Sequence, residues 1–178
     1  MFRLNPCEPC CDESGWSPPP CCGAYYTAFS ECYEITLAGI TNGELFALGV
    51  PGYCKCEDVN GTWQMEHPGG DGCTWTGCYP VELFDGVENP AICYKRDLWL
   101  VMILNSSGST PGEISVRLDI RGANPSGANR CSPFASWDTL SRYYGNMDCD
   151  NAGSVTVYLD LDSSHCGGWP EEIVISPC

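Results

Sequence analysis

Four cysteines, Cys54, Cys56, Cys73 and Cys78, surround His67 in the stretch CKCEDVNGTWQMEHPGGDGCTWTGC, which runs from residue 54 to residue 78. Thiols and an imidazole so close together can hold a metal ion, act as a nucleophile–base pair, or be spent in disulfides. Asn60-Gly61 reads as a two-residue hairpin loop, because a type I′ turn needs positive φ at both central positions. Such a loop sets Val59 against Thr62 and Cys56 against Met65, and alternation then puts Cys54, Cys56, Trp63, Met65 and His67 on one face. Asp58 falls on that face too, which a core-facing surface does not explain. Zinc would take Cys54, Cys56, His67 and Cys73. A Cys-x-Cys pair on an extended strand, however, lacks the knuckle that wraps the metal, and only Cys7 and Cys10 have Cys-x-x-Cys spacing. Two thiols at i and i+2 would strain the backbone if joined to each other, so each is expected to reach a different partner. Disulfides are the expected chemistry, with no metal and no cofactor.

The chain of 178 residues contains 15 cysteines but only two histidines, a usage that points to an oxidising compartment. The disulfide candidates are Cys21, Cys22, Cys32, Cys54, Cys56, Cys73, Cys78, Cys93, Cys131, Cys149 and Cys166. Because 15 is odd, at least one cysteine has no partner within the chain. Cys7, Cys10 and Cys11, on an irregular N-terminal stretch, and Cys178, the last residue, are the candidates for bonding to another chain.

Other motifs are weaker. His165 stands beside Cys166, but adjacent residues of an extended chain point to opposite faces, so the imidazole is badly placed to activate the thiol. No His-Glu-x-x-His, Gly-x-Ser-x-Gly, phosphate-binding loop or dinucleotide glycine pattern occurs. Asp148 and Asp150 begin like a calcium loop, but Ala152 breaks the pattern and a turn is expected. Trp16, Trp75 and Trp169 stand in loop-like contexts and are candidates for stacking on sugar rings, against the alternative of packing in the core.

A net charge of −15 repels phosphate backbones and anionic lipid, which argues against nucleic-acid and membrane partners. The N-terminus lacks the basic start and apolar run of a secretory signal, and no apolar stretch approaches the ~18 residues of a membrane span. An extracellular or virion location is expected, either with a signal already removed or by another route out of the cell such as lysis.

The elements that must position these residues are strands. Residues 1–30 carry five cysteines and five prolines without periodicity and read as an extended arm. From residue 31 to 178 a single domain is expected. Residues 32–40, 113–120 and 154–161 alternate apolar and polar, 98–104 are apolar throughout, and 44–50 and 172–176 complete the set. Residues 67–92 read as a long loop, and 132–140 as one or two helical turns with Ser132 as cap. The expected fold is all-β, an antiparallel sandwich or jelly-roll-like form rich in disulfides.

The run CEDVNGTW followed by CTW, and the closing GGWPEEIVISPC, resemble a pattern in uncharacterised cysteine-rich bacterial proteins, some encoded near phage-like structural genes. The resemblance implies a turn and staples rather than an activity. The functional expectation is a non-enzymatic structural subunit of an extracellular or virion-type assembly such as a fibre, tail or surface layer. It would assemble with copies of itself by laying the arm or the terminal strand along a neighbour's sheet edge. A carbohydrate-binding or adhesion module is the alternative, and a secreted hydrolase with carboxylate catalysis the third.

Overall fold

Alternation of apolar and polar residues gives each strand one face for a core and one for water. The structure, a computed structural model, is described for residues 29–41, 43–45, 50–54, 56–69, 72–81, 97–105, 113–123, 137–148, 153–162 and 166–178. Its strands are β1 (Cys32–Leu37), β2 (Gly43–Leu45), β3 (Val50–Cys54), β4 (Gly61–Glu66), β5 (Thr74–Tyr79), β6 (Leu98–Asn105), β7 (Glu113–Ala123), β8 (Trp137–Asp148), β9 (Val155–Asp162) and β10 (Glu172–Pro177). A 3-10 turn, Cys56–Val59, is the one described element that is not a strand.

The strands do not form a sandwich. They close into an eight-stranded antiparallel barrel in the order β1-β10-β9-β8-β7-β6-β5-β4, while β2 and β3 pair as a separate two-stranded sheet. From β4 to β10 the chain is an up-and-down meander, and β1 fills the place between its two ends. Alternation cannot separate the two architectures, since both have one wet and one dry face. The deciding contact is the pairing of the first barrel strand with the last, Tyr33↔Pro177 through Ile35↔Ile175. Closure also gives β10 partners on both sides, so the terminal strand is not free to be laid along a neighbouring subunit.

An eight-stranded barrel is just wide enough to be filled by its own side chains. Here the filling includes Trp75, Tyr33, Tyr143, Leu98, Leu100, Met102 and Leu118, all fully buried. Phe29, shortly before β1, joins them, with its ring 5.9 Å from that of Trp75, whose indole N–H donates to Ser30 O at 3.0 Å. The β4–β5 ladder has a single registered pair, Glu66↔Thr76. Tyr79 bridges the rest of that seam: its hydroxyl accepts from Gln64 N–H at 3.0 Å and donates to Gln64 O at 2.6 Å.

Several local expectations change. Asn60-Gly61 does not turn a hairpin, because β4 pairs with β1 and β5 rather than with the preceding segment. Residues 56–59 coil instead, so Cys56 and Val59, three apart, both face inward and Asp58 is exposed. That geometry removes the anomaly at Asp58. Asn60 uses its side chain as a short strand surrogate, accepting from Ile40 N–H at 3.0 Å and donating to Ile40 O at 2.8 Å. The expected loop over 67–92 contains β5, and residues 137–140 of the expected helical turns open β8. A bulge opposite Ile120/Arg121 places both Leu140 and Ser141 inside, which interrupts the alternation in β8.

Disulfides close the barrel. Cys32 bonds to Cys178 across 146 residues, and Cys56 to Cys166 across 110. Cys73 and Cys78 are disulfide-bonded as well. Cys178 is therefore not a link to another chain: pairing of β1 with β10 brings its Cα within 5.3 Å of that of Cys32, and its N–H donates to Cys32 O at 3.1 Å. Such bonds belong to an oxidising, extracellular type of environment.

Candidate functional site on the outer face of β7, β8 and β9

Strand β7 sends Ile114, Val116, Leu118 and Ile120 inward, which leaves Ser115, Arg117, Asp119 and Arg121 on the outer face. The β7–β8 register sets Arg117 beside Tyr144, Asp119 beside Arg142 and Ser115 beside Asn146. The β8–β9 register then sets Tyr144 beside Tyr158. Three strands thus bring a guanidinium cluster and an aromatic pair together on one surface.

Asp119 is the centre of the cluster. Although it points away from the barrel interior, it has no exposed surface, because three guanidinium groups cover it. Arg142 Nε donates to Oδ1 at 2.7 Å, while Nη2 of Arg117 and of Arg121 donate to Oδ2 at 2.9 and 2.5 Å. Burial by itself would raise the carboxyl pKa; the hydrogen bonds from Arg142, Arg121 and Arg117 outweigh it and hold the group below the usual carboxylate range. The same contact raises the Arg142 pKa further. Four acceptor positions on one carboxylate cannot satisfy three guanidiniums with five N–H donors each. The Nε atoms of Arg117 and Arg121 are in fact shielded from water and without a partner among the described residues.

Beside the cluster lies a groove. The β8–β9 ladder registers Ser141 through Tyr144 with residues 158–162, but Gly145–Asp148 pair with β7 and Val155–Val157 with β10. The two strand ends diverge, and the space between them is an open groove of about 670 Å³. Ser115, Asn146, Asp148, Ser154 and Thr156 give it polar walls, and Tyr144 and Tyr158 form its lip. At the point of divergence the strands touch closely: a Cβ at Gly145 would lie 2.6 Å from Thr156 O. Tyr144 and Tyr158 are 43% and 57% exposed, large values for aromatic side chains on a sheet. Leu161 and Val174, on the neighbouring part of the same surface, are also exposed.

Of the residues singled out from sequence, Asp148 lines this groove, and the others that are described lie elsewhere. Trp75 and Trp169 are buried, Trp75 completely, so neither offers a ring to a sugar. His67 packs edge-on against Trp75 at 4.8 Å and clamps its own loop, with Nδ1 accepting from Gly69 N–H at 3.0 Å and Nε2 donating to Gly72 O at 2.5 Å. Cys56 and Cys73, two of the four zinc candidates, are in disulfides, as is Cys166. Trp16, Cys7, Cys10, Cys11, Cys21, Cys22, Cys93, Cys131, Cys149, Asp150 and His165 lie outside the described residues, as does the side chain of Cys54. Among the described residues, no His, Cys, Asp and Glu side chains cluster as a metal site, and no helix is long and apolar enough to cross a membrane.

Tyr144, Tyr158, Arg117, Asp119 and Arg142 were the residues that sequence reasoning missed. The strict alternation of β7 carries the signal for Arg117 and Asp119. Their partners stand on β8, whose bulge hides its strand character. Comparisons of the chain with protein-family models, with curated proteins and with solved structures find no match.

Proposed function

We propose that the chain is a non-enzymatic extracellular binding module that recognises a glycan on the outer face of β8 and β9. The observation that carries this reading is the exposed pair Tyr144 and Tyr158, adjacent across two strands at the lip of a polar groove. Sugar rings present C–H faces to aromatic rings and hydroxyls to amide and hydroxyl side chains, and this surface offers both. Its rigidity comes from β7 and β10, which support β8 and β9 from either side. A preorganised site avoids the ordering cost that weakens a mobile one.

The test is a glycan array followed by calorimetry with the best binder. Tyr158→Ala is expected to lose binding while changing folding stability by less than about 0.5 kcal/mol, since the side chain is largely exposed. An array that stays silent with the native protein overturns the reading.

A second reading, assembly with copies of the same chain, is favoured by one observation. The exposed large apolar residues Tyr144, Tyr158, Leu161 and Val174 share one side of the barrel, a surface that could bury itself against another subunit. Sedimentation at increasing concentration separates the two readings, because a monomer at every concentration removes the second.

A further inference from the structure

Of the eight lysines and arginines in a chain of net charge −15, three converge on Asp119. With one carboxylate among them they leave a local charge of about +2 (three guanidiniums less one carboxylate) on an otherwise acidic molecule. Two of these arginines adjoin the aromatic lip. Arg117 is the register partner of Tyr144, and Arg142 lies two residues before Tyr144 on the same strand and the same face. Resting on the glycan reading, we infer that the ligand is an acidic sugar, with its carboxylate or sulfate held by Arg117 and Arg142 while a neighbouring ring stacks on Tyr144 and Tyr158.

Three physical points support this. Asp119 already fixes the guanidiniums, so they bind an anion without first losing the freedom of long side chains. Their sides exposed to solvent keep unused donors, the side chains being 34%, 24% and 27% accessible at Arg117, Arg121 and Arg142. A second anion would also relieve repulsion among three cations that share one carboxylate. The surroundings limit the size of the charge. Asp160 lies close enough to influence Arg142, Asp148 lines the far end of the groove, and Glu172 is the register partner of Tyr158. A ligand charged along its whole length would meet these carboxylates. One or two anionic groups at the arginine end, followed by neutral hydroxyls along the groove, match the charge pattern.

The experiment uses the whole chain and three oligosaccharide probes: 3′-sialyllactose, with one carboxylate at its end, 3′-sulfolactose, with one sulfate there, and uncharged lactose. At low salt at least one acidic probe is expected to bind about tenfold tighter than the neutral one, the value of a single charge-assisted contact. Arg117→Gln should bring the affinity for the acidic probe down to that for the neutral one. The preference should also fall in 0.5 M salt with the native protein, a measurement that needs no variant to fold. The two acidic probes tell carboxylate from sulfate. Equal affinity for all three probes overturns the inference and leaves the glycan reading standing. Acid preference that survives both Arg117→Gln and Arg142→Gln overturns the assignment of the site. No binding of any probe overturns the inference, and together with a silent glycan array it overturns the glycan reading as well.

Discussion

The β1–β4–β10 side of the barrel and the β7–β8–β9 side are held by different forces, and the difference follows from distance along the chain. On the first side, contacts join residues far apart in sequence: Cys32 and Cys178 are separated by 146 residues, and Cys56 and Cys166 by 110. Bringing such distant points together costs the most chain entropy, and a covalent link removes that cost from the unfolded state. On the second side each strand pairs with the next in sequence, and the register is continuous over most of β7 and β8. Those strands are secured by a long ladder and by the Asp119 cluster. What this teaches is where a binding face can be afforded, since the meander side holds its shape without putting its outer surface to structural use beyond one ion cluster.

The sharpest way to break the comparison is to remove sulfur from one side only. Replacing Cys32 and Cys178 together by Ser should cost about 5 kcal/mol on the chain-entropy scale for a loop longer than 100 residues. The loss is read from the urea midpoint of unfolding. The glycan binding proposed for the Tyr144–Tyr158 surface should be unchanged in the folded fraction, because no barrel strand that carries it is cross-linked by this bond. A loss of affinity in parallel with stability would show that the two sides are not independent.

Asp119→Asn acts on the other side. It leaves three guanidinium groups around a neutral amide, and breaking a buried ion cluster by removing one partner costs about 3 kcal/mol. The pH dependence gives a second readout. The folded-state pKa of Asp119 is depressed, so its contribution is present above the ordinary carboxylate pKa and is lost as pH falls through the folded value. Asp119→Asn should therefore flatten the acid limb of the stability curve, whereas the Cys32/Cys178 double substitution should leave that limb's slope unchanged.

How much of this was legible in the sequence also divides between the two sides. The strands β1, β6, β7, β9 and β10 were visible because alternation or continuous apolarity marks them. The staples were visible as a class from cysteine number, but their partners were not, because connectivity depends on which distant strands adjoin. That the barrel closes depends on the β1–β10 pairing, and no local pattern encodes a pairing between opposite ends of a chain. The Asn60-Gly61 signal misled because tertiary context overrode turn preference: the Asn60 side chain is occupied by the backbone of Ile40. The candidate site was the least legible part. Its two tyrosines stand on strands that meet only through the register of β8, and the inward Leu140–Ser141 pair disguises that strand.

A smaller effect probes the point where the two sides meet. Tyr143 lies on β8 with its ring in the core, and its hydroxyl donates to Pro170 O at 3.0 Å, on the segment that leads into β10. Burial, reinforced by the nearby Asp162 carboxylate, pushes its pKa up to about 12. A phenol whose folded pKa is raised contributes stability that is complete below the unfolded value near 10 and is lost as pH rises toward the folded value. Between pH 8 and pH 11 the native protein should thus lose about 1.4 kcal/mol through this group, because the unfolded chain releases a proton that the folded chain keeps. Tyr33, buried on the sulfur-linked side, has its pKa raised by burial as well and adds to the slope in the same direction. Tyr143→Phe should lower stability at pH 8 by about 1 kcal/mol through loss of the Pro170 hydrogen bond. The same variant should be less sensitive to alkali than the native chain, the remaining slope belonging to Tyr33. Urea midpoints of both proteins at pH 8, 10 and 11 check this, and parallel curves would mean that Tyr143 ionises as easily in the folded barrel as in the unfolded chain.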